Sequence, residues 1–271
     1  MSVSSTLKQH PLAAFLAGSV ALGWLLTLGA SLLPTSSVLL PIIAIPVSFA
    51  PALLAFLAVG NAGSTEERRA FRASVTTVRF GWRWVGVALL LPAVHLAAVA
   101  LATVWGGSVV LRPELLAILP LFLLTNFGEE IGWRGYALPR LQERMTPLAA
   151  SLVLGVVWAA FHWVALLANR DAPLAYVAIG TVQLVAMSVI LAVVFNHARR
   201  AVLAVTLVHA LYDTVAVGVA PLADTGVPLV AFGLSAALTC VVAIAVVVVS
   251  GASLRVAGAV SGAGREAMAR A

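Results

Sequence analysis

Charge is what this sequence lacks. Asp, Glu, Lys and Arg together make up 10% of its 271 residues, against 62% hydrophobic residues and a mean hydropathy of +1.08. A soluble domain carries about 25% charged residues, so this chain cannot cover a water-facing surface. Cysteine is nearly missing as well: Cys240 stands alone, which excludes a disulfide scaffold. The apolar content excludes intrinsic disorder. No HExxH stretch occurs, which would have favoured a zinc peptidase, and no internal repeat stands out. What is left is an all-α, polytopic integral membrane protein.

A spanning helix needs about 20 apolar residues. Eight runs between polar breaks qualify: Leu12–Leu33, Val38–Val59, Val85–Val104, Leu115–Gly128, Leu148–Ala168, Leu174–Asn196, Ala201–Ala220 and Val227–Ser250. The fourth is long enough only if Glu129 and Glu130 lie inside it. The first run follows Lys8 and His10 like a secretory signal. It is longer than a signal core and has no A-x-A end, so it reads as the first span. Residues 1–271 therefore read as a single membrane domain, a bundle of about eight transmembrane helices.

Basic residues collect on cytoplasmic loops. With the N-terminus inside, Lys8, Arg68, Arg69, Arg72, Arg79, Arg83, Arg134, Arg140, Arg144, Arg199, Arg200, Arg255, Arg265 and Arg270 fall on the cytoplasmic side. Only Arg112 and Arg170 fall outside. Both termini are thus expected in the cytoplasm, with the chain multi-pass in the cell membrane. The net charge of +6 marks leaflet sidedness and anionic lipid headgroups, not nucleic acid. Between Asn61 and Trp84, five arginines interleave with Phe71, Phe80, Trp82 and Trp84, the pattern of an interfacial helix with an aromatic anchor.

Ionisable groups within spans cost a few kcal/mol each and are usually functional. At the end of the fourth span stands Asn126-Phe127-Gly128-Glu129-Glu130-Ile131-Gly132-Trp133-Arg134-Gly135-Tyr136. Glu130 and Arg134 are i, i+4, the favourable order for an ion pair, which leaves Glu129 about 100° round the helix without that partner. Gly128, Gly132 and Gly135 allow another backbone to approach closely. The fifth span carries Trp158 and His162 on one face, and the seventh carries His209 and Asp213 on one face. Asn196, beside His197 at a helix end, is a secondary polar candidate. His95 has no polar neighbour at helical spacing and reads as structural.

Glu129, His162, His209 and Asp213 supply what peptide hydrolysis requires: a carboxylate to take a proton from water, an imidazole to orient it, and donors for the oxyanion. Two imidazoles and carboxylates could equally ligate a divalent metal such as zinc. Counting about 1.5 Å per residue from the assumed cytoplasmic ends puts Glu129 about 9 Å deep, His209 about 12 Å, Asp213 about 18 Å and His162 about 21 Å. That spread is too wide for one site, which points to a fifth span starting deeper than Leu148.

These residues resemble the CAAX protease and bacteriocin-processing family (Abi family) of intramembrane endopeptidases. Its Glu-Glu-x-x-x-Arg, aromatic-x-x-x-His and His-x-x-x-Asn/Asp motifs read here as Glu129-Glu130…Arg134, Trp158…His162 and His209…Asp213. The resemblance covers roughly residues 115–217, which would be the protease core. It implies that Glu129 activates water, that His162 helps hold it, and that His209 and Asp213 stabilise the oxyanion or polarise the carbonyl. Glu130 and Arg134 would support the site. Asp213 stands where many members carry asparagine, and an ionised carboxylate is a poor oxyanion donor. The favoured mechanism needs no cofactor; the alternative uses zinc held by Glu129, His162, His209 and Asp213. Expected partners are membrane lipids and a peptide or membrane-anchored protein substrate cut near the cytoplasmic leaflet.

Two competing readings remain from the residues: a non-enzymatic bacteriocin-immunity or envelope protein, and a secondary transporter. The second draws on Pro41, Pro46 and Pro51, which would break up the second span.

Overall fold

A backbone N–H or C=O without a partner costs several kcal/mol in hydrocarbon, so apolar runs of this length must close their hydrogen bonds along themselves as helices. The computed structural model describes residues 9–32, 40–167 and 172–254. Among them are eight helices long and apolar enough to cross a membrane, as expected from the hydropathy. The span ends expected at Leu33, Val38 and Ala168, and the basic residues Lys8, Arg170, Arg255, Arg265 and Arg270, lie outside the described residues.

In chain order the elements are α1 (Pro11–Ser31), α2 (Leu40–Ala62), α3 (Thr65–Thr76), α4 (Arg83–Ala88), α5 (Leu90–Ala102), α6 (Leu119–Glu130), α7 (Leu138–Gln142), α8 (Pro147–Leu167), α9 (Pro173–His197), α10 (Val202–Asp213) and α11 (Pro228–Ser250). Short α4 and α5 stack into one span, Arg83–Trp105. Two π-helical segments matter most for function. One, Ile131–Ala137, joins α6 to α7; the other, Thr214–Val219, prolongs α10. Each begins directly after a motif carboxylate, Glu130 or Asp213. Such wide turns recur at functional sites, where they re-aim side chains.

The chain alternates between two ends. At one, Leu148 N–H donates to Ala252 O (3.1 Å) and Arg140 pairs with Glu67 of α3 (3.1 Å). At the other, Ser108 N–H donates to Thr225 O (2.9 Å) and Arg112 N–H to Val219 O (2.7 Å). Arg68, Arg69, Arg72, Arg140, Arg144, Arg199 and Arg200 belong to the first end. Arg112, paired with Asp224 at 2.6 Å, belongs to the second.

The fourth span differs from expectation. It does not stop near Gly128; it runs from Pro113 to Gln142, 30 residues, through the π segment. Arg134, expected on a cytoplasmic surface, is fully buried inside it. This resolves the depth conflict. Counted from Gln142, Glu129 lies about 20 Å in, and His162 lies about 22 Å in from Pro147. The fifth span does begin at Pro147, beside the Leu148 first read, so that boundary needed no correction. In the seventh span His209 bonds to Glu130 through Nδ1 (2.9 Å), so it lies level with the double glutamate whatever its residue count suggests.

The second span also differs. Pro46 and Pro51 lie inside a continuous α2, because the neighbouring helices of a bundle support the freed backbone groups. Pro51 is a contact surface: a Cβ at Gly132 would collide with Pro51 Cβ and sit 2.7 Å from its carbonyl carbon. A Cβ at Gly128 would sit 2.9 Å from Ser48 O. The double glutamate is therefore pressed against the α2 backbone, as the glycines suggested. Gly132→Ala is expected to cost about 1–3 kcal/mol, since the clash is with backbone. Thermal unfolding in detergent measures it, and an unchanged Tm would contradict this packing.

The arginine-rich loop holds a helix, α3, as anticipated. Ser64 and Glu67 form a reciprocal capping box, Ser64 N–H donating to Glu67 Oε2 (2.7 Å) and Glu67 N–H to Ser64 Oγ (3.1 Å). The Ser64 backbone N–H, with help from Arg140, holds the Glu67 carboxyl below the usual carboxylate range. A lowered folded-state value means that Glu67 adds stability above its unfolded pKa and loses it as pH falls through the folded one. Glu67→Gln should therefore be less stable than the parent at neutral pH. The gap should close in acid, as followed by Tm across a pH series. Solvent exposure keeps the effect small.

Candidate active site

Three helices converge on the double glutamate, and each brings the residues that its motif placed on one face. From α8, Trp158 Nε1–H donates to Glu129 Oε2 (2.9 Å). From the π segment, Trp133 Nε1–H reaches the same oxygen at 3.4 Å. Both indoles are fully buried, and Glu129 is 6% exposed. The other oxygen, Oε1, takes no hydrogen bond from the described residues. One side of the carboxylate is clamped and the other is not.

Glu130 has a different task. Its Oε1 accepts from Arg134 Nη1 (2.8 Å) and from His209 Nδ1 of α10 (2.9 Å). Both members of the Glu130–Arg134 pair are 0% exposed. The Arg134 guanidinium also lies over the Trp158 ring, 4.4 Å from its centroid. Thus Arg134 joins the two glutamates: it neutralises Glu130 and stacks on the indole that holds Glu129. Arg134 Nε and Nη2 and Glu130 Oε2 have no hydrogen-bond partner among the described residues.

The His209 ring is fixed from both sides. Nδ1–H donates to Glu130, Nε2 faces Asp213 Oδ2 at 3.3 Å, and the ring meets Trp158 edge-on at 5.1 Å. Asp213 Oδ2 also accepts from Asn126 Nδ2 of α6 (2.7 Å). His162 Nδ1–H donates to Trp158 O one turn earlier (2.9 Å), which leaves Nε2 as the acceptor in the neutral ring. The half-buried His162 ring packs edge-on against Trp158 (5.7 Å) and so borders the cluster through that indole.

Glu129, Glu130, Arg134, Trp158, His209 and Asp213 therefore meet through direct contacts, and His162 adjoins them. Asn196 does not join them. It lies in the last turn of α9, near the basic end, whereas the cluster lies about 20 Å in. His95 is fully buried and bonded through Nε2 to Ala220 O (2.9 Å), a packing residue as read. Two partners escaped the sequence reading. Asn126 sits three residues before Glu129, a primary amide in an apolar run. Trp133 sits four residues after Glu129. The same-face rule applied to Glu130 and Arg134 would have found Trp133.

No set of three or more His, Cys, Asp or Glu side chains among the described residues could hold a metal ion. The four donors considered for zinc, Glu129, His162, His209 and Asp213, do not form such a set. Glu130 takes Nδ1 of His209, Asp213 faces its Nε2, and His162 is tied to its own helix.

Comparison with known proteins agrees with the motifs. Residues 111–215 match the family model described as "Type II CAAX prenyl endopeptidase Rce1-like". The chain is also 28% identical over 180 residues to "CAAX prenyl protease 2" of Methanococcus maripaludis. That alignment covers 62% of this chain and 66% of the relative, so it spans just under two thirds of the relative's length. The double-glutamate, aromatic–histidine and histidine–aspartate motifs, gathered on three helices, all lie within the stretch that is similar to this CAAX endopeptidase family model.

Proposed function

We propose that this protein is an intramembrane endopeptidase in which Glu129 is the general base. The observation that carries the reading is the asymmetric hold on its carboxylate: Oε2 bound by two buried indoles, Oε1 uncommitted. A base fixed through one oxygen presents the other to water in a set direction, and positioning of this kind accounts for a large share of catalysis. A water between Glu129 Oε1 and the acceptor Nε2 of His162 would have its lone pair turned toward a substrate carbonyl. Glu129 takes the water proton as the oxygen attacks, and returns it to the departing amine.

Glu130, Arg134 and Asp213 act through His209 and Trp158. They fix both rings and keep the buried charges neutralised as a group. The donor set favours a glutamate mechanism, and no step here passes through a metal. The substrates are peptides or membrane-anchored proteins. The clustering of arginines at one end of the bundle supports an orientation with that end and the N-terminus in the cytoplasm of the cell.

The test is cleavage in proteoliposomes of an internally quenched peptide carrying a farnesylated Cys-aliphatic-aliphatic-X tail, alongside its unprenylated twin. Cleavage of either, abolished in His209→Ala and unaffected by 1,10-phenanthroline or EDTA, is the expected result. Cleavage lost to chelator and restored by zinc would replace the glutamate mechanism. Full activity in His209→Ala would remove this cluster from the reaction.

A further inference from the structure

Peptide hydrolysis through a tetrahedral intermediate requires hydrogen-bond donors where the oxyanion forms. Position 213 cannot supply one as an ionised carboxylate, which accepts only. The nearest neutral primary amide belongs to Asn126. It lies on α6 three residues before Glu129, so base and amide are neighbours on one helical face. Its Nδ2 donates to Asp213 Oδ2 at 2.7 Å, the only side-chain bond among the described residues that ties Asp213 to α6. Its Oδ1 lies 3.4 Å from Thr125 Oγ. The amide is thus oriented at both ends, and Asn126 is 3% exposed.

A primary amide carries two N–H groups. One is used on Asp213, and no described residue accepts the other. On the endopeptidase reading above, we infer that Asn126 is the oxyanion-stabilising amide of this protein, and that Asp213 serves to hold it in place. The acid and the amide have divided the work between two helices. α10 provides the anchor and α6, which already carries the base, provides the donor. His209 Nε2 lies beside the same spot, 3.3 Å from Asp213 Oδ2.

The experiment is a four-member set on the intact protein in proteoliposomes: parent, Asn126→Asp, Asp213→Asn and the exchanged double variant Asn126→Asp/Asp213→Asn. Both kcat/KM on the farnesylated reporter and Tm in detergent are measured for each. Asn126→Asp removes the donor and sets two acids face to face; kcat should fall by about 100-fold or more, with KM little changed. The exchanged variant restores an amide opposite an acid. It should recover most of the Tm lost in Asn126→Asp and at least about tenfold of the lost kcat, a non-additivity expected only of paired residues.

A kcat in Asn126→Asp equal to the parent, while Glu129→Gln is inactive, would overturn the inference and leave the protease reading standing. Independent, additive effects of the two substitutions on Tm would also overturn it. If the parent cleaves neither reporter, the protease reading fails and the oxyanion role falls with it. The Tm set then still decides whether Asn126 and Asp213 are a coupled pair.

Discussion

Glu129→Gln will reduce kcat for reporter cleavage by about 100- to 10,000-fold, the range that a positioned general base contributes, with KM little altered. Gln keeps the volume of the side chain and an oxygen able to accept from Trp158 Nε1, 2.9 Å away in the parent. The clamp, the fold and substrate binding should therefore survive, and only proton uptake by Oε1 is lost. Expression and Tm near parental values accompany the expected inactivation, which separates chemistry from stability. Retention of even a tenth of the parental kcat would mean that another group takes the water proton, with Asp213 next to be tested. The same variant distinguishes the non-enzymatic reading. Bacteriocin protection that persists in Glu129→Gln would show a function independent of hydrolysis.

The second large effect is expected at Arg134. This guanidinium is 0% exposed, bonded to Glu130 and stacked on Trp158. Arg134→Met leaves the Glu130 carboxylate in the interior with only His209 as a partner. Breaking a buried ion pair from one side costs about 3–5 kcal/mol, because the surviving charge is uncompensated. A large fall in Tm is expected, together with loss of cleavage as the Trp158 indole loses its cover. Arg134→Met combined with Glu130→Gln removes both charges at once and should restore much of the stability but not the activity, since His209 Nδ1 then faces a neutral amide. Equal Tm values for the single and double variants would show that the pair contributes nothing as a pair.

The second prediction rests on a pair that sequence spacing already made, whereas the hold on Glu129 comes from another helix. Glu130 with Arg134 and His209 with Asp213 were legible because residues four apart on a helix share a face. Trp158 with His162 was legible in the same way, but the bond that matters from Trp158 reaches another helix, to Glu129. Periodicity cannot report contacts between helices. Asn126 shows the same limit: it belongs to the first motif by position, yet its role depends on Asp213, 87 residues later. Asn196, read from the sequence as a secondary polar candidate at a helix end, does sit in the last turn of its helix and takes no part in the cluster.

The π segments explain the one large misreading of depth. A continuous helix that widens after Glu130 keeps the chain inside the bundle through Gly132, Trp133 and Arg134. A hydropathy window instead sees glutamates and an arginine and ends the span. Fully buried Arg134 is tolerated there because its charge is matched by Glu130 and its face by an indole, and no local scale contains either partner.

The amino-acid order alone determined that the chain is helical, with eight helices among the described residues long and apolar enough to cross a membrane, since hydrogen-bond closure in hydrocarbon leaves little choice once apolar runs reach this length. It also settled which side chains share a helical face, because the pitch is a local property of the backbone. Which faces confront one another was settled only by packing: Gly128 against Ser48 and Gly132 against Pro51 bring α6 and its π segment onto α2, and there Glu129 meets two indoles while Asp213 meets an amide. Those contacts join residues far apart in the chain, and the free energy that selects them belongs to the assembled bundle.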